Sequence, residues 1–271
     1  MLFRNPVIIT GAPRSGTTKT QFILTKLRNT VIFNELYLYL VGKDIFRELI
    51  RTKIDKCCSF KKDRLPWRWS LQAAIHLPQS QREKLKLLVD NEKVFITEVY
   101  RSFGKLRLYG DKASEYLFHI PHLVQMYNPK FILLVRDIRD CICSSILNWR
   151  KWHDKVSLDS HRWMHPGVEE AEKYFLSYLR AELEYFSMMK EQGVFVIKCE
   201  EMVRSNTAMI SSLARFLDVD FDELNTLCSR YLSEKYSKRW PEMFPGGMKL
   251  AVETIELVEE INEVTQVFQT V

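Results

Sequence analysis

The chain has only six cysteines in 271 residues, and none of them forms the C-x-x-C pair typical of zinc and redox motifs. No leader-like apolar segment precedes the first apolar run, and no stretch is long enough to span a membrane. We therefore expect a cytoplasmic protein without membrane contact, in which the thiols are reduced and buried and no metal is bound.

Charge and composition exclude disorder but do not identify a partner. The chain is 46% hydrophobic and its net charge is +6, which suits a single globular domain over residues 1–271. The basic residues are spread out and no nucleic-acid motif appears, so we expect an anionic small molecule rather than nucleic acid. A nucleotide-binding regulatory module or basic nucleic-acid module remains the non-enzyme alternative, and the sequence leaves open whether the chain forms a homo-oligomer.

Apolar β-branched runs alternate with helical periodicity along the chain. The clearest runs predict buried strands at Val7–Ile9, Phe131–Val135 and Val194–Lys198. Strands that alternate with helices predict an α/β fold, with a P-loop-like central parallel β-sheet flanked by helices on both faces and with helical insertions. In such sheets ligands bind at the carboxyl ends of the strands.

Local patterns give further predictions between those strands. "NTVIFNELYLYL" predicts a short extended piece and then a helix, and "LRLYGDKASEYL" predicts a strand, a turn at Gly110 and a helix. Helices are expected from about Arg139 to Trp152, over 169–192 with a stop at Gly193, and over 250–267.

The segment "GAPRSGTT", from Gly11 to Thr18, follows the first strand and precedes a helix. Its glycines have Walker spacing, but Thr17 stands where the Walker lysine would be and Lys19 comes two positions late. Arg14 supplies a permanent positive charge inside the loop. Loop amides and a helix N-terminus favour an anion here. The alternative is an ordinary strand–turn–helix junction.

A second basic motif, "VRDIRDCICSS", follows the strand at 131–135. Arg136 and Ser144 share one ligand only if the chain turns as the helix begins, and Asp137 or Asp140 is a candidate helix cap or arginine partner. The alternative is a surface ion-pair cluster that includes Arg139. Two basic sites at strand ends favour a ligand with two separated phosphate groups.

Together these residues resemble the PAPS-dependent sulfotransferases, which transfer a sulfuryl group from 3′-phosphoadenosine 5′-phosphosulfate (PAPS) and release PAP. "GAPRSGTT" resembles the family's 5′-phosphosulfate loop and "VRDIRDCICSS" its 3′-phosphate motif. "YGDKASEYLFHIPHL" is similar to a segment of the bacterial, tyrosylprotein and glycan branches. "VIKCEEMVRSN" and "LARFLDVDFD" resemble the family's tail. The resemblance omits roughly residues 40–95.

The resemblance implies roles for individual residues. The 5′-phosphosulfate would be held by Arg14, Ser15, Gly16, Thr17 and Thr18. The 3′-phosphate would be held by Arg136 and Ser144, and Lys238 or Arg239 would close over the donor. Lys112 and Arg14 would stabilise the transferring group and the leaving phosphate. A sulfuryl donor carries less charge than ATP at the transferred group, so no metal is expected.

The general base is expected to be a carboxylate. The histidine motif "K-T-H" of many family members is missing, and Glu35 stands where the tyrosylprotein branch has its glutamate. Alternatively, Glu35 caps a helix that starts near Leu36. Glu98 is a reserve candidate, and His119 and His122 are expected in the core or beside the donor.

The acceptor pocket is expected from the least family-like segments, residues 36–80 within the insert at about 40–95, and from the loop at 150–166. Their aromatic residues favour a small-molecule acceptor, sulfated at a hydroxyl or at an amine or carbamate nitrogen, as in secondary metabolism. Departures from the family pattern are Lys19, Ile138 and Cys199, the last beside the expected adenine site. The rival enzyme is a P-loop nucleoside or metabolite kinase, which requires Mg²⁺ and a Walker lysine.

Overall fold

A computed structural model of the protein describes residues 5–40, 91–101, 103–155, 161–204, 206–232 and 240–266. In these residues one five-stranded parallel sheet has the order β2-β3-β1-β4-β5. Its strands are β1 (Val7–Thr10), β2 (Thr30–Asn34), β3 (Leu108–Lys112), β4 (Lys130–Val135) and β5 (Val194–Lys198). The sheet confirms the predicted α/β class.

Helices connect and cover these strands. In the described ranges they are α1 (Thr17–Leu24), α2 (Glu92–Arg101), α3 (Ile120–Tyr127), α4 (Ile138–Trp152), α5 (Val168–Gln192), α6 (Cys199–Val203), α7 (Thr207–Leu217), α8 (Phe221–Tyr231), α9 (Trp240–Met243) and α10 (Val252–Gln266). Short 3₁₀ turns occupy Leu38–Leu40 and Ser114–His119. Among the helices described here, none is both long and apolar enough to cross a membrane.

The sheet separates two apolar cores because successive side chains of a strand point to opposite faces. On β1, Ile8 joins one core, whereas Val7 and Ile9 join the other. α5 packs in the first core and α7 in the second. Burial on both faces explains why β1 and β4 read as continuous apolar runs.

The parallel arrangement brings several strand ends to one edge. Ile9 of β1 lies opposite Lys112 of β3 on one side and Ile132 of β4 on the other. On the far side of β3, Asn34 lies opposite Lys112. The chain segments that leave β1, β2, β3 and β4 therefore start close together, which is where such folds bind ligands.

Three local predictions are wrong. Gly110 lies inside β3 and not in a turn. The position requires glycine because an added Cβ would stand 1.8 Å from the Val7 carbonyl oxygen. No α-helix begins at Leu36; Glu35 and Tyr37 have left-handed φ values of 58°, and a 3₁₀ turn follows. β5 is mostly half-buried rather than buried, since it is the edge strand.

Three predicted helices, α4 and α5 between β4 and β5 and α10 near the end of the described chain, are confirmed. Asp137 caps α4 by accepting the Arg139 backbone N–H, and α5 ends at Gly193, whose φ is 95°. α10 occupies the predicted closing position.

Candidate functional site

The loop from Gly11 to Gly16 joins β1 to α1 through left-handed backbone at Gly11, Arg14 and Gly16. A Cβ at Gly11 would lie 2.3 Å from the Leu134 carbonyl oxygen, so only glycine permits this approach to β4. Gly16 occupies the N-cap of α1 without a side-chain cap. The amides of the first helical turn therefore suit an anion placed at the loop.

Hydroxyl groups line the same loop. Ser15 is fully buried, and among the described residues its Oγ has no hydrogen-bond partner. Thr17 is buried and Thr18 is half-buried. A buried hydroxyl without a partner is unfavourable unless a ligand completes it, so this loop fits an oxyanion.

The displaced lysine does not stand in the loop. The Lys19 ammonium lies 5.8 Å from the ring centroid of Phe22 and 6.0 Å from that of Tyr231. It packs against aromatic faces on α1 and α8, so it does not substitute for a Walker lysine.

Arg14 joins the two basic motifs directly. Its Nε donates to Ser144 Oγ at 2.9 Å, and its carbonyl oxygen accepts a hydrogen bond from Arg136 at 2.8 Å. Its guanidinium carbon lies 4.5 Å from the ring centroid of Trp163. The backbone N–H of His165 donates to Ser145 Oγ at 2.9 Å and ties the segment that contains Trp163 to α4. The chain thus turns as the second motif requires, and Arg136 and Ser144 meet the same loop.

The second motif is held by its aspartates. Arg136 is paired with Asp140 at 3.6 Å, and both side chains are at least nine-tenths buried. This burial excludes a surface ion pair at Arg136. Arg139 lies further out, with its guanidinium forked onto Asp137 at 2.6 Å. Asp137 thus caps the helix and pairs with an arginine, and Asp140 pairs with Arg136.

The start of α9 reaches this motif. Trp240 donates its backbone N–H to Asp140 at 3.3 Å, and the Arg139 guanidinium stacks 4.1 Å from the Trp240 ring. Lys238 and Arg239 precede this tryptophan and lie outside the described residues, so their closing role stays a prediction.

Glu35 and Lys112 form an ion pair at the ends of β2 and β3. Lys112 Nζ lies 2.5 Å from Glu35 Oε1, and the Glu35 backbone N–H donates to the Lys112 carbonyl at 2.6 Å. The lysine side chain is 1% exposed, whereas the glutamate side chain is 48% exposed. A buried ammonium thus orients a carboxylate that solvent can reach.

Asp111, which no sequence pattern singled out, holds this pair in place. Its buried carboxylate accepts hydrogen bonds from the Leu36 N–H at 3.4 Å, the Leu38 N–H at 3.2 Å and the Tyr116 hydroxyl at 2.6 Å. It fixes the left-handed backbone at Glu35 by satisfying the amides that follow it. Its position beside Lys112 in "GDK" was the available signal.

An aromatic and acidic wall stands next to Glu35. Burial, and then the charges of Glu115 and Glu35, raise the pKa of the Tyr37 phenol. Burial, and then the Glu35 charge, raise the pKa of Glu115. The hydroxyls of Tyr174 and Tyr178 on α5 lie 3.1 Å apart, and the Glu115 charge reaches both phenols. These side chains place aromatic rings, phenol hydroxyls and a second carboxyl group near Glu35.

The other candidates lie elsewhere. Glu98 is paired with Arg101 on α2, and His122 is half-buried against the Tyr127 ring. His119 is half-buried at the N-cap of α3. Of the aromatic residues expected in the acceptor pocket, Tyr39 is instead fully buried in a core. Most of the 40–95 insert lies outside the described residues.

Cys199 packs against the anion loop. A Cβ added at Gly16 would lie 3.3 Å from the Cys199 sulfur. Burial raises the pKa of this thiol to about 11. The residue that departs from the family pattern therefore supports the loop as a neutral, packed group.

Comparisons with solved structures agree with this fold. The sulfotransferase domain from the curacin biosynthetic pathway superposes with a TM-score of 0.65 at 15% identity, over 97% of this chain and 99% of that chain. The sulfotransferase domain of the Synechococcus PCC 7002 olefin synthase gives 0.61 at 16% identity, over 97% and 96%. A sulfotransferase from Alicyclobacillus acidocaldarius gives 0.56 at 15% identity, over 98% and 97%. At identities this low, the superpositions show a shared fold and nothing further.

Sequence comparison identifies the family. None of the curated proteins compared with the chain matches it significantly. The sequence model of the sulfotransferase family, however, matches residues 6–223, a range that includes the Gly11–Gly16 loop, Lys112, Arg136 and Ser144. This match covers most of the chain, and the protein belongs to the sulfotransferase family.

Proposed function

We propose that the protein is a PAPS-dependent sulfotransferase that sulfates a hydroxyl, or an amine or carbamate nitrogen, of a small metabolite. Family membership supports sulfuryl transfer in general. The observation that supports the donor is the contact between the two basic motifs, in which Arg14 bonds to Ser144 and Arg136 bonds to Arg14. A donor with phosphate groups on its 5′ and 3′ positions would engage both motifs.

The residues present fit this donor. The Ser15 hydroxyl is buried without a partner among the described residues and would donate to an oxygen of the 5′ group. Gly16, Thr17 and Thr18 would offer it their backbone amides. Ser144 accepts the Arg14 N–H, which leaves its own O–H to donate to the 3′-phosphate. PAPS would supply the sulfuryl group and leave as PAP.

Three charged residues would act on the reaction itself. Glu35 would accept the proton that the acceptor loses as its bond to sulfur forms, an effect worth about 10²–10⁴-fold in rate. Lys112 would place positive charge beside the transferring group. Arg14 would stabilise the charge that collects on the 5′-phosphate as its bond to sulfur breaks.

The Glu35–Lys112 pair suits this role because its two members differ in exposure. The ammonium is almost completely buried and needs a nearby negative charge, whereas the carboxylate is about half exposed. An acceptor can therefore approach Glu35 while Lys112 holds its orientation. The half-buried rings of Tyr37 and Tyr174 would supply aromatic surface for a small organic acceptor.

Metal-free binding of PAP tests the proposal. We would titrate the protein with PAP by calorimetry in EDTA, and repeat the titration with Arg136→Ala. Loss of a charged hydrogen-bond donor to phosphate is worth ~1.5–3 kcal/mol, so the affinity should fall by about 10–150-fold. Arg136→Lys keeps the charge without the fork and should give an intermediate affinity.

Arg180→Ala is the matched control, because it removes an equal charge from an exposed arginine that pairs with Glu253. Its PAP affinity should equal that of the wild type. Binding of ATP that depends on added Mg²⁺, with no binding of PAP, would establish the kinase instead. PAP binding without sulfuryl transfer to any of a panel of small hydroxyl and amine compounds would favour the nucleotide-binding module.

A further inference from the structure

A buried glutamate on α5 contacts the anion loop. Glu182 lies in the middle of α5 and is 2% exposed. Its Oε1 accepts the backbone N–H of Ala12 at 2.9 Å. Ala12 follows Gly11 and precedes Arg14 by two residues, so this bond anchors the leg of the loop that leaves β1. Neither the sulfotransferase motifs nor the chemistry above uses this carboxyl group.

The surroundings of Glu182 favour its protonated form. Burial raises its pKa to about 8, opposed only by the Ala12 hydrogen bond, among the described residues. The titratable group of α4 that faces Glu182 is the Cys141 thiol. Burial raises the pKa of this thiol, and the charge of Glu182 raises it further. Arg136 acts on the same thiol in the opposite direction. The carboxyl group therefore carries a proton that it can lose near neutral pH.

We propose that Glu182 is a positioning residue that fixes the Gly11–Gly16 loop through Ala12 and couples anion binding in this loop to the proton on its own carboxyl group. The inference rests on the proposed function, because it takes the loop as the 5′-phosphosulfate site. An ionised Glu182 would add a negative charge behind a loop that must hold another anion. Donor binding therefore favours protonated Glu182, and loss of the proton weakens it.

The pH dependence of PAP affinity tests this coupling. We would titrate the wild type and Glu182→Gln with PAP in EDTA between pH 6.5 and pH 9. The glutamine keeps an oxygen acceptor for the Ala12 N–H but cannot ionise. With a carboxyl pKa of about 8 and one pKa unit of coupling, the wild-type affinity should fall by about fivefold more than that of the variant between pH 6.5 and pH 9. Comparison of the two proteins cancels the titration of PAP itself.

Two further variants separate positioning from a packing role. Glu184→Gln removes the same charge from an exposed position of α5 and should keep the wild-type pH dependence. Glu182→Met fills a similar volume and cannot ionise, but it leaves the Ala12 N–H without its acceptor, so its PAP affinity should lie about tenfold below that of Glu182→Gln at every pH. Recovery of that affinity in Glu182→Gln would assign the effect to the hydrogen bond.

Thermal unfolding without ligand shows whether the variants are folded and gives a second readout. Because the folded carboxyl has its pKa raised from 4.5 to about 8, the wild type should lose stability as the pH rises through this range, and Glu182→Gln should lose less. A wild type that binds PAP with a pH dependence equal to that of Glu182→Gln contradicts this inference alone. A wild type that binds no PAP at any pH contradicts both this inference and the proposed function.

Discussion

Replacing Asp111 by asparagine is expected to destabilise the protein strongly, because this carboxylate satisfies the backbone around Glu35. The side chain is fully buried. Its two oxygens accept hydrogen bonds from the amides of Leu36, Leu38 and Lys112 and from the Tyr116 hydroxyl. Asparagine keeps one oxygen, and its amide nitrogen would face two donors that it cannot accept from.

The magnitude follows from the two lost bonds. A hydrogen bond to a charged group contributes ~1.5–3 kcal/mol, and two of the bonds to Asp111 are long, so the lower end applies. We expect a loss of about 3 kcal/mol, a large share of the ~5–15 kcal/mol that stabilises a typical domain. The backbone of Glu35 would also lose its support, so turnover should fall in the folded variant while PAP affinity stays near that of the wild type.

Urea unfolding, followed by circular dichroism, measures this loss as a fall of about 1 M in the midpoint, for a slope of ~3 kcal/mol per molar. Asp222→Asn is the control, since this exposed aspartate lies in the first turn of α8 and should contribute ~0.3–1 kcal/mol. If the free energy of unfolding of Asp111→Asn lies within about 1 kcal/mol of the wild-type value, the carboxylate does not hold this segment by charge, and the reasoning from its hydrogen bonds fails.

Three other outcomes follow from the structure. Gly110→Ala should not yield soluble folded protein on expression, since its Cβ would lie 1.8 Å from the Val7 carbonyl oxygen; a folded variant would show that the strands can separate. Glu35→Gln should lower turnover ~10²–10⁴-fold with PAP affinity kept, whereas Glu98→Gln should leave turnover unchanged, and the reverse order would transfer the role of base. Trp163→Ala should weaken PAP binding in a calorimetric titration by roughly 2–30-fold, because the loop arginine loses a stacking partner worth ~0.5–2 kcal/mol, and Trp163→Phe should retain most of the affinity.

The features predicted correctly depend on local sequence. The apolar runs of β1 and β4 predict buried strands wherever they occur, and Gly193 ends a helix through its own backbone freedom. The anion loop is recognisable because a left-handed glycine at its end and a helix start are properties of consecutive residues. Strand pairing and the close approach of two backbones depend on residues far apart in the sequence. The predicted turn at Gly110 is wrong for this reason, because the position requires glycine where β1 passes beside it.

The sequence by itself determined the α/β class, the two basic motifs and their order along the chain, since alternating strands and helices can only pack as a covered parallel sheet. It also named Glu35 and Lys112 as candidates without relating them. The tertiary structure alone decided that these two side chains pair, that Arg14 bonds to Ser144, and that Glu182 supports Ala12. These contacts join residues 77, 130 and 170 positions apart, and the order of strands in the sheet, with α4 and α5 packed against it, brings such distant residues together.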